Sequence, residues 1–418
     1  MTMFDVAAVL LALAALLAYL NHRTLRLPST IAMLIAGLAG AFFITISDRL
    51  VPHLGIAQNV ERLLGDVNFA SLLMKGMLGF LLFAGALTVD FHDLQESLGS
   101  VLTLATVGVL ISTALIGIGS FFLFPLADAA VPFLYCLVFG ALISPTDPVA
   151  VVSLMNELKV PRKLQVNFTG ESLLNDGVGV VVYTVLLAIA TAGAMSGSGV
   201  VMLFVREVIG GSLLGIVAGL LLYYLTKRID EPNIEVQLSV GIVAALIAVA
   251  PHLHVSGPLG CVVAGILVGH HARGPSMRDA TAEALDRIWS FADHLMNAVL
   301  FLLLGLEAAV FGFASPRHAL VIGAIIVLVV LARLVSVAIP LSLVKRFQKM
   351  PAGMIRILTW GGLRGGISVA LALSLPHFDG RLAVLNATYA VVVFTIIVQG
   401  LTIGWVIRRF SHDQVEAS

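Results

Sequence analysis

Five ionisable residues, Asp147, Glu171, Asp176, Arg333 and Arg364, each fall well inside a long hydrophobic segment of this chain. At the centre of a lone helix in a bilayer each would cost roughly 2.5 to 3.5 kcal/mol or more, so they must pair or face water. Three are acids and two are bases, and pairing therefore leaves one carboxylate over. If the five share a cavity, one monovalent cation or one proton neutralises that surplus. Binding either ligand but not both is a direct physical route to one-for-one exchange. The alternative is internal salt bridging that merely fixes helix packing, and it leaves the surplus carboxylate unaccounted for.

The run Gly170-Glu171-Ser172-Leu173-Leu174-Asn175-Asp176-Gly177 carries two of the acids. At 3.6 residues per turn, Ser172 and Asp176 share one face of a helix, with Glu171 and Asn175 on the adjoining stripe. A hydroxyl and a carboxylate can then point at one small hard cation, which prefers such oxygen ligands. Gly177 and Gly179 would let neighbouring broken helices approach closely. Asp147, beside Thr146 and between Pro145 and Pro148, offers a second carboxylate with carbonyls freed by a helix break, or caps the fragment after Pro148; both roles can hold together. Arg333 has no acid near it in sequence, and Glu171 is its expected partner in a buried pair that registers two helices. Arg364 is expected to balance the facing ends of broken helices. Lys75, Arg206 and Glu207 read as lying near segment ends, where they can snorkel. His252, His254, His270, His271 and His294 read as mainly loop residues, solvated or able to sense pH.

The elements that must position these groups are membrane helices. The 418 residues are 59% apolar and 11% charged, with mean hydropathy +1.04, far from the roughly 25% charge of soluble domains. Charged and proline punctuation divides the chain into about thirteen segments near the roughly 20 residues a bilayer requires. Strands of a transmembrane barrel would alternate polar with apolar residues, so the expected fold class is an all-α polytopic membrane protein. The fourth, seventh and tenth segments are expected to start near Leu98, Val208 and Ile288.

Sorting Lys and Arg by alternate loops places about sixteen on one side and four (Arg49, Arg62, Arg317 and Arg381) on the other. The richer side is expected in the cytoplasm, with the N-terminus outside and the C-terminus inside, in the inner (plasma) membrane. The first segment lacks a basic flank and a cleavage site and is read as a helix rather than a signal peptide. Cys136 and Cys261 lie in apolar segments as small packing residues. No nucleotide-binding or metal-hydrolase sequence appears, so any energy for transport must come from gradients; no cofactor, nucleotide or nucleic-acid partner is expected, and lipid surrounds the chain.

Two pairs of segments look alike at an offset of seven. Ile35-Ala36-Gly37 running to Gly40 resembles Val263-Ala264-Gly265 running to Gly269, and Phe80 to Phe83 before Gly85 and Asp90 resembles Phe301 to Leu304 before Gly305 and Glu307. An odd offset inverts orientation, giving two inverted six-helix repeats with Asp90 and Glu307 at opposite surfaces. Helices 5 and 12 then correspond. Each carries a breaker near mid-membrane, Ser144-Pro145-Thr146-Asp147-Pro148 and Gly361-Gly362-Leu363-Arg364-Gly365-Gly366, and such breaks are tolerated only where protein or a watery cavity satisfies the freed backbone.

Thr146-Asp147-Pro148, Gly170 to Gly177 and Gly361 to Gly365 closely resemble the NhaP-type branch of the monovalent cation/proton antiporters, over essentially the whole chain. The resemblance implies a homodimer in which a dimerisation and scaffold domain, helices 1–3 and 7–10 (about 3–89 and 208–310), supports an ion-transporting core, helices 4–6 and 11–13 (about 98–191 and 318–407). It implies Na⁺ contacts from Asp147, Ser172, Asp176 and the Thr146 carbonyl, with Glu171 assisting and pairing with Arg333. It associates the Asn175-Asp176 pair with electroneutral exchange, where the electrogenic branch has Asp in place of Asn175. Regulation by the long cytoplasmic tail of animal exchangers is not among the properties the resemblance carries over. Asp176 must titrate near the working pH for protons and Na⁺ to compete. The rival readings are a K⁺/H⁺ antiporter of the same architecture, a passive cation channel and, most remotely, a membrane enzyme using Asp147 and Asp176.

Overall fold

The computed structural model describes residues 3–50, 73–192, 197–227, 229, 231–272, 279–307, 316–344 and 353–411. These form thirteen helical segments: α1 (Met3–Arg23), α2 (Ser29–Leu50), α3 (73–87), α4 (Phe91–Ala127), α5 (Phe133–Ile143 and Val149–Glu157), α6 (Arg162–Ala192), α7 (Gly197–Thr226), α8 (Pro232–Leu253), α9 (Gly257–Ala272), α10 (Asp279–Glu307), α11 (Pro316–Val344), α12 (Met354–Trp360 and Gly366–Leu373) and α13 (Arg381–Phe410). Eight are long and apolar enough in one piece to cross a bilayer. The described residues contain no strand. Large apolar side chains such as Phe42, Phe43, Phe122 and Leu320 stand exposed on the outside, as a hydrocarbon solvent requires.

Helix starts follow local chemistry. Pro232 occupies the first turn of α8, where its missing amide is no loss. Asp90 caps α4 by accepting from the amides of His92 (2.9 Å) and Asp93 (3.3 Å), so it opens that helix rather than closing α3.

Three segments begin earlier than hydropathy suggests: α4 at Phe91, α7 at Gly197 and α10 at Asp279. The first turns of α4 and α10 are polar, and in α7 Arg206 and Glu207 interrupt the apolar run after its apolar first turns, so hydropathy starts each segment late although the helix is continuous. Arg206 and Glu207 consequently lie inside α7 and not at its end, and Arg206 Nη2 donates to the Leu253 carbonyl at 2.8 Å. Of the five histidines read as loop residues, His252, His270, His271 and His294 are helical; only His254 lies in a turn, with φ of 53° at the end of α8. The Lys75 side chain, the Arg49 side chain, and Arg62, Arg228, Arg273, Arg278, Lys345, Arg346 and Lys349 lie outside what the structure describes.

Helix ends group as alternating crossings demand. Arg162 pairs with Asp93 at 2.7 Å, bringing the starts of α4 and α6 to one end. Arg317 reaches Asp128 at 3.4 Å, bringing the end of α4 and the start of α11 to the other. These exposed pairs contribute little stability, but they fix which termini are neighbours.

The inverted repeat is visible in two backbone seams. A Cβ on Gly37 of α2 would sit 2.5 Å from the Leu302 carbonyl oxygen, and one on Gly305 of α10 would sit 2.5 Å from the Leu34 carbonyl oxygen. A Cβ on Gly265 of α9 would sit 2.7 Å from the Phe83 carbonyl oxygen, and one on Gly269 would sit 2.5 Å from that of Leu87 in α3. Exchanging helix 2 with 9 and helix 3 with 10 turns one seam into the other. Only glycine permits approaches this close, the usual device where bilayer helices touch backbone to backbone.

Candidate functional site: crossed helix breaks beside an acidic cavity

Pro145 and Pro148 end the first half of α5 at Ile143 and delay the second until Val149, because proline lacks the amide that would continue the ladder. Gly361 to Gly365 interrupt α12 at the matching place in the other repeat. The two breaks touch directly: the Asp147 amide donates to the Leu363 carbonyl at 2.8 Å, and a Cβ on Gly365 would lie 2.8 Å from Asp147 Oδ2.

Arg364 lies in this crossing and is 1% exposed. Its Nη1 donates to the Pro145 carbonyl at 3.0 Å and also to the Ser144 carbonyl. Those carbonyls end the first half of α5, where the helix dipole is negative. The guanidinium therefore compensates a helix terminus, as its position in the sequence suggests. Asp147 does the reciprocal work on the second half, its Oδ1 accepting from the Val149 amide at 2.9 Å; the capping role and a place on the cavity wall coexist.

On α6, Glu171 is fully buried and its two carboxylate oxygens accept from Nη1 and Nη2 of Arg333 on α11, each at 2.7 Å. This bidentate pair removes one acid and one base from the charge account. Asn175 joins it to the α5 break: its Nδ2 donates to Glu171 Oε1 at 2.9 Å and to Thr146 Oγ1 at 2.8 Å, while its Oδ1 accepts from the Thr146 amide at 3.1 Å. Thr146 Oγ1 lies 3.1 Å from Ser172 Oγ. An aspartate at 175 could supply none of these donors.

A cavity of about 360 Å³ opens against this crossing. Asp147 and Asp176 both line it, together with Pro145, Thr169, Leu173 and Gly365. Thr146 and Ser172 do not; they lie behind the wall, hydrogen-bonded to each other, and Glu171 is held by Arg333. The seven polar residues predicted at the site on α5, α6 and α12, with Arg333, thus form one connected region, of which the two aspartates reach the open space. Gly179 faces the break as expected, with a hypothetical Cβ 2.5 Å from Pro145 Cγ, whereas Gly177 opposes Leu259 of α9, an unbroken helix.

The opposite wall was not anticipated from sequence. Ser290, Asp293, His294 and Asn297 of α10 line the cavity, and Asn297 Nδ2 donates to Asp293 Oδ1 at 3.0 Å. Their i, i+3, i+4, i+7 spacing is a polar stripe along one face of α10, the signal that would have found them. Among the described residues, no group of three or more His, Cys, Asp or Glu is arranged to hold a metal ion.

The family described as Sodium/hydrogen exchanger, transmembrane, matches residues 11–409. The chain is 42% identical to the Na(+)/H(+) antiporter NhaP of Pseudomonas aeruginosa, covering 99% of this chain and 98% of that protein. It is 34% identical to the Na(+)/H(+) antiporter NhaH of Halobacillus dabanensis, covering 93% of each. Its fold matches that of the sodium proton antiporter MjNhaP1 from Methanocaldococcus jannaschii with a TM-score of 0.73 at 19% identity, over 98% of this chain and 99% of that one. The chain belongs to the sodium/hydrogen exchanger family, in its NhaP-type branch.

Proposed function

We propose that the protein is a secondary Na⁺/H⁺ antiporter that exchanges one Na⁺ for one H⁺ at Asp176. The observation that carries this reading is the pairing pattern around the cavity. Glu171 and Arg333 neutralise each other out of reach, Arg364 is committed to the end of a half-helix, and Asp176 and Asp147 remain on the cavity wall. Carboxylate and hydroxyl oxygens suit a hard alkali cation. Asp176 binds either ligand; Asp147 is a second ligand from the crossing, with Ser172 and Thr146 shaping the site behind it. Asn175, tied to Glu171 and Thr146, keeps a neutral amide where an acid would add charge. One ligand replacing another of equal charge moves no net charge, so the membrane potential does no work on the cycle.

Alternating access follows if helices 4–6 and 11–13 move as a core against helices 1–3 and 7–10, which also form the homodimer contact. The Lys and Arg asymmetry supports a cytoplasmic C-terminus and an inner-membrane location, with a role in pH homeostasis. The relatives' names support Na⁺ over K⁺, and the gradient alone drives the cycle without a cofactor.

The test is dissipation of a pH gradient in proteoliposomes with Na⁺, Li⁺ or K⁺ added in turn, with the potential clamped and unclamped. The reading expects Na⁺ to collapse the gradient equally under both conditions. A response to K⁺ alone favours the K⁺/H⁺ reading, and proton flux without any counter-cation favours a channel.

A further inference from the structure

The cavity has one ionisable wall that the exchange reaction does not use. Asp293 lies on α10, facing a space whose other wall carries Asp147 and Asp176. Three carboxylates line the cavity and no Lys or Arg does. Low-dielectric walls of one sign focus a field and raise the local concentration of the opposite ion. Asp293 is also oriented: Asn297 Nδ2, itself buried, holds its Oδ1 at 3.0 Å. The neighbouring His294, which also lines the cavity, is exposed, and its ring Nδ1 lies 2.7 Å from the Ser290 carbonyl.

The helices place this wall toward one end of the bundle. The cavity takes in Asn156 near the end of α5, Thr169 in the first half of α6 and Thr88 just beyond the end of α3. Those termini meet at the end of the molecule where Arg162 pairs with Asp93. Leu300 of α10 lies against Gly366 at the crossing, and Asp293 is about two turns nearer the start of α10. That helix follows α9, whose end carries His270 against Phe91 at the start of α4; an ion entering from that end would meet Asp293 first.

We propose that Asp293, held by Asn297, is an access ligand: it receives the cation on the side to which the cavity opens and hands it to Asp176. It is not the competed site. Its charge is the same before and after exchange, so it leaves the one-for-one stoichiometry untouched and raises capture from one side only. This inference rests on the antiport reading above, and it adds a residue outside the broken helices to the cation's path.

The experiment compares wild type with Asp293→Asn and Asp293→Glu in oriented proteoliposomes, measuring the Na⁺ dependence of exchange with Na⁺ supplied from each face. Removing one carboxylate charge from a partly screened cavity should raise KM by about 3- to 10-fold from the cavity side. The maximal rate and the KM from the opposite face should change far less, and Asp293→Glu should recover most of the loss. Raising ionic strength should narrow the gap between wild type and Asp293→Asn. An unchanged cavity-side KM, or an equal fall in maximal rate from both faces without a KM change, overturns the proposal. If wild type itself exchanges no Na⁺, the antiport reading fails, and Na⁺-induced thermal stabilisation of the purified proteins then decides the role of Asp293: a midpoint shifted to higher Na⁺ in Asp293→Asn supports it, and identical midpoints refute it.

Discussion

Replacing Arg333 by Met should do more damage than replacing Arg333 and Glu171 together. The pair consists of two parallel 2.7 Å hydrogen bonds between side chains that are 8% and 1% exposed. In Arg333→Met the Glu171 carboxylate stays buried, with the single Asn175 donor at 2.9 Å remaining to it among the described contacts. Breaking a buried pair from one side typically costs about 3–5 kcal/mol, whereas replacing both partners by neutral groups of similar volume is often nearly neutral. Arg333→Met should therefore lose about 3–5 kcal/mol and the double variant Glu171→Gln/Arg333→Met should recover at least half of it. The coupling energy, read from a double-mutant cycle of unfolding in mixed micelles, should reach about 2 kcal/mol or more. A coupling near zero, with Arg333→Met as stable as wild type, would refute the assignment of this pair as the buried, mutually neutralised one. The charge account at the cavity would then have to be redrawn.

Further outcomes follow from the same contacts. Asn175→Asp removes the donors to Glu171 and Thr146 and sets a carboxylate beside Glu171, so it should lose about 2 kcal/mol or more; any exchange it retains should respond to a clamped potential, unlike wild type. Gly37→Val and Gly305→Val should prevent recovery of folded protein, because each Cβ would meet main-chain oxygen at 2.5 Å. Gly241→Ala, where a Cβ meets nothing within 4 Å, should be tolerated or gain up to about 1 kcal/mol, as thermal unfolding in detergent will report.

Much of this architecture was legible because membrane chains punctuate themselves. Pro145, Pro148 and the glycines from 361 to 366 mark the two interruptions without any knowledge of tertiary structure, since the backbone chemistry of these residues acts locally. The partnership of Glu171 with Arg333 was legible for a different reason: a charge at that depth has to find an opposite charge, and the candidates were few. Hydropathy was a poorer guide where a helix is polar on one face. The first turns of α10 are polar, so hydropathy starts the segment at Ile288 and its histidine reads as a loop residue; helical periodicity through Ser290, Asp293 and Asn297 is the better signal. Nor does spacing along a helix tell which side chains reach open space. Ser172 and Asp176 share a face of α6, yet the hydroxyl is drawn into a bond with Thr146 from another helix while the carboxylate lines the cavity. That difference is made by what the α5 break presents, which the local sequence of α6 does not contain.

The two glycine seams give the scaffold its own meaning. Main chain against main chain leaves no side chains to repack, so α2 with α10 and α9 with α3 form two stiff units. Asp293 and Asn297 belong to one of them, while Asp147 sits in the break of α5, which meets the break of α12 through a few hydrogen bonds, and Asp176 sits on the unbroken α6 beside it. A fixed access ligand opposite a movable competed ligand is the arrangement that the proposed alternating exposure would use.

The most direct measurement compares wild type with Asp176→Asn, reconstituted at equal density, for Na⁺-driven dissipation of a pH gradient at a clamped potential. Wild type should collapse the gradient at a rate that is independent of the potential, and Asp176→Asn should fall to the rate of empty vesicles while still inserting as a folded protein. Na⁺-dependent proton flux retained by folded Asp176→Asn would contradict the central claim that one carboxylate is competed for by both ions.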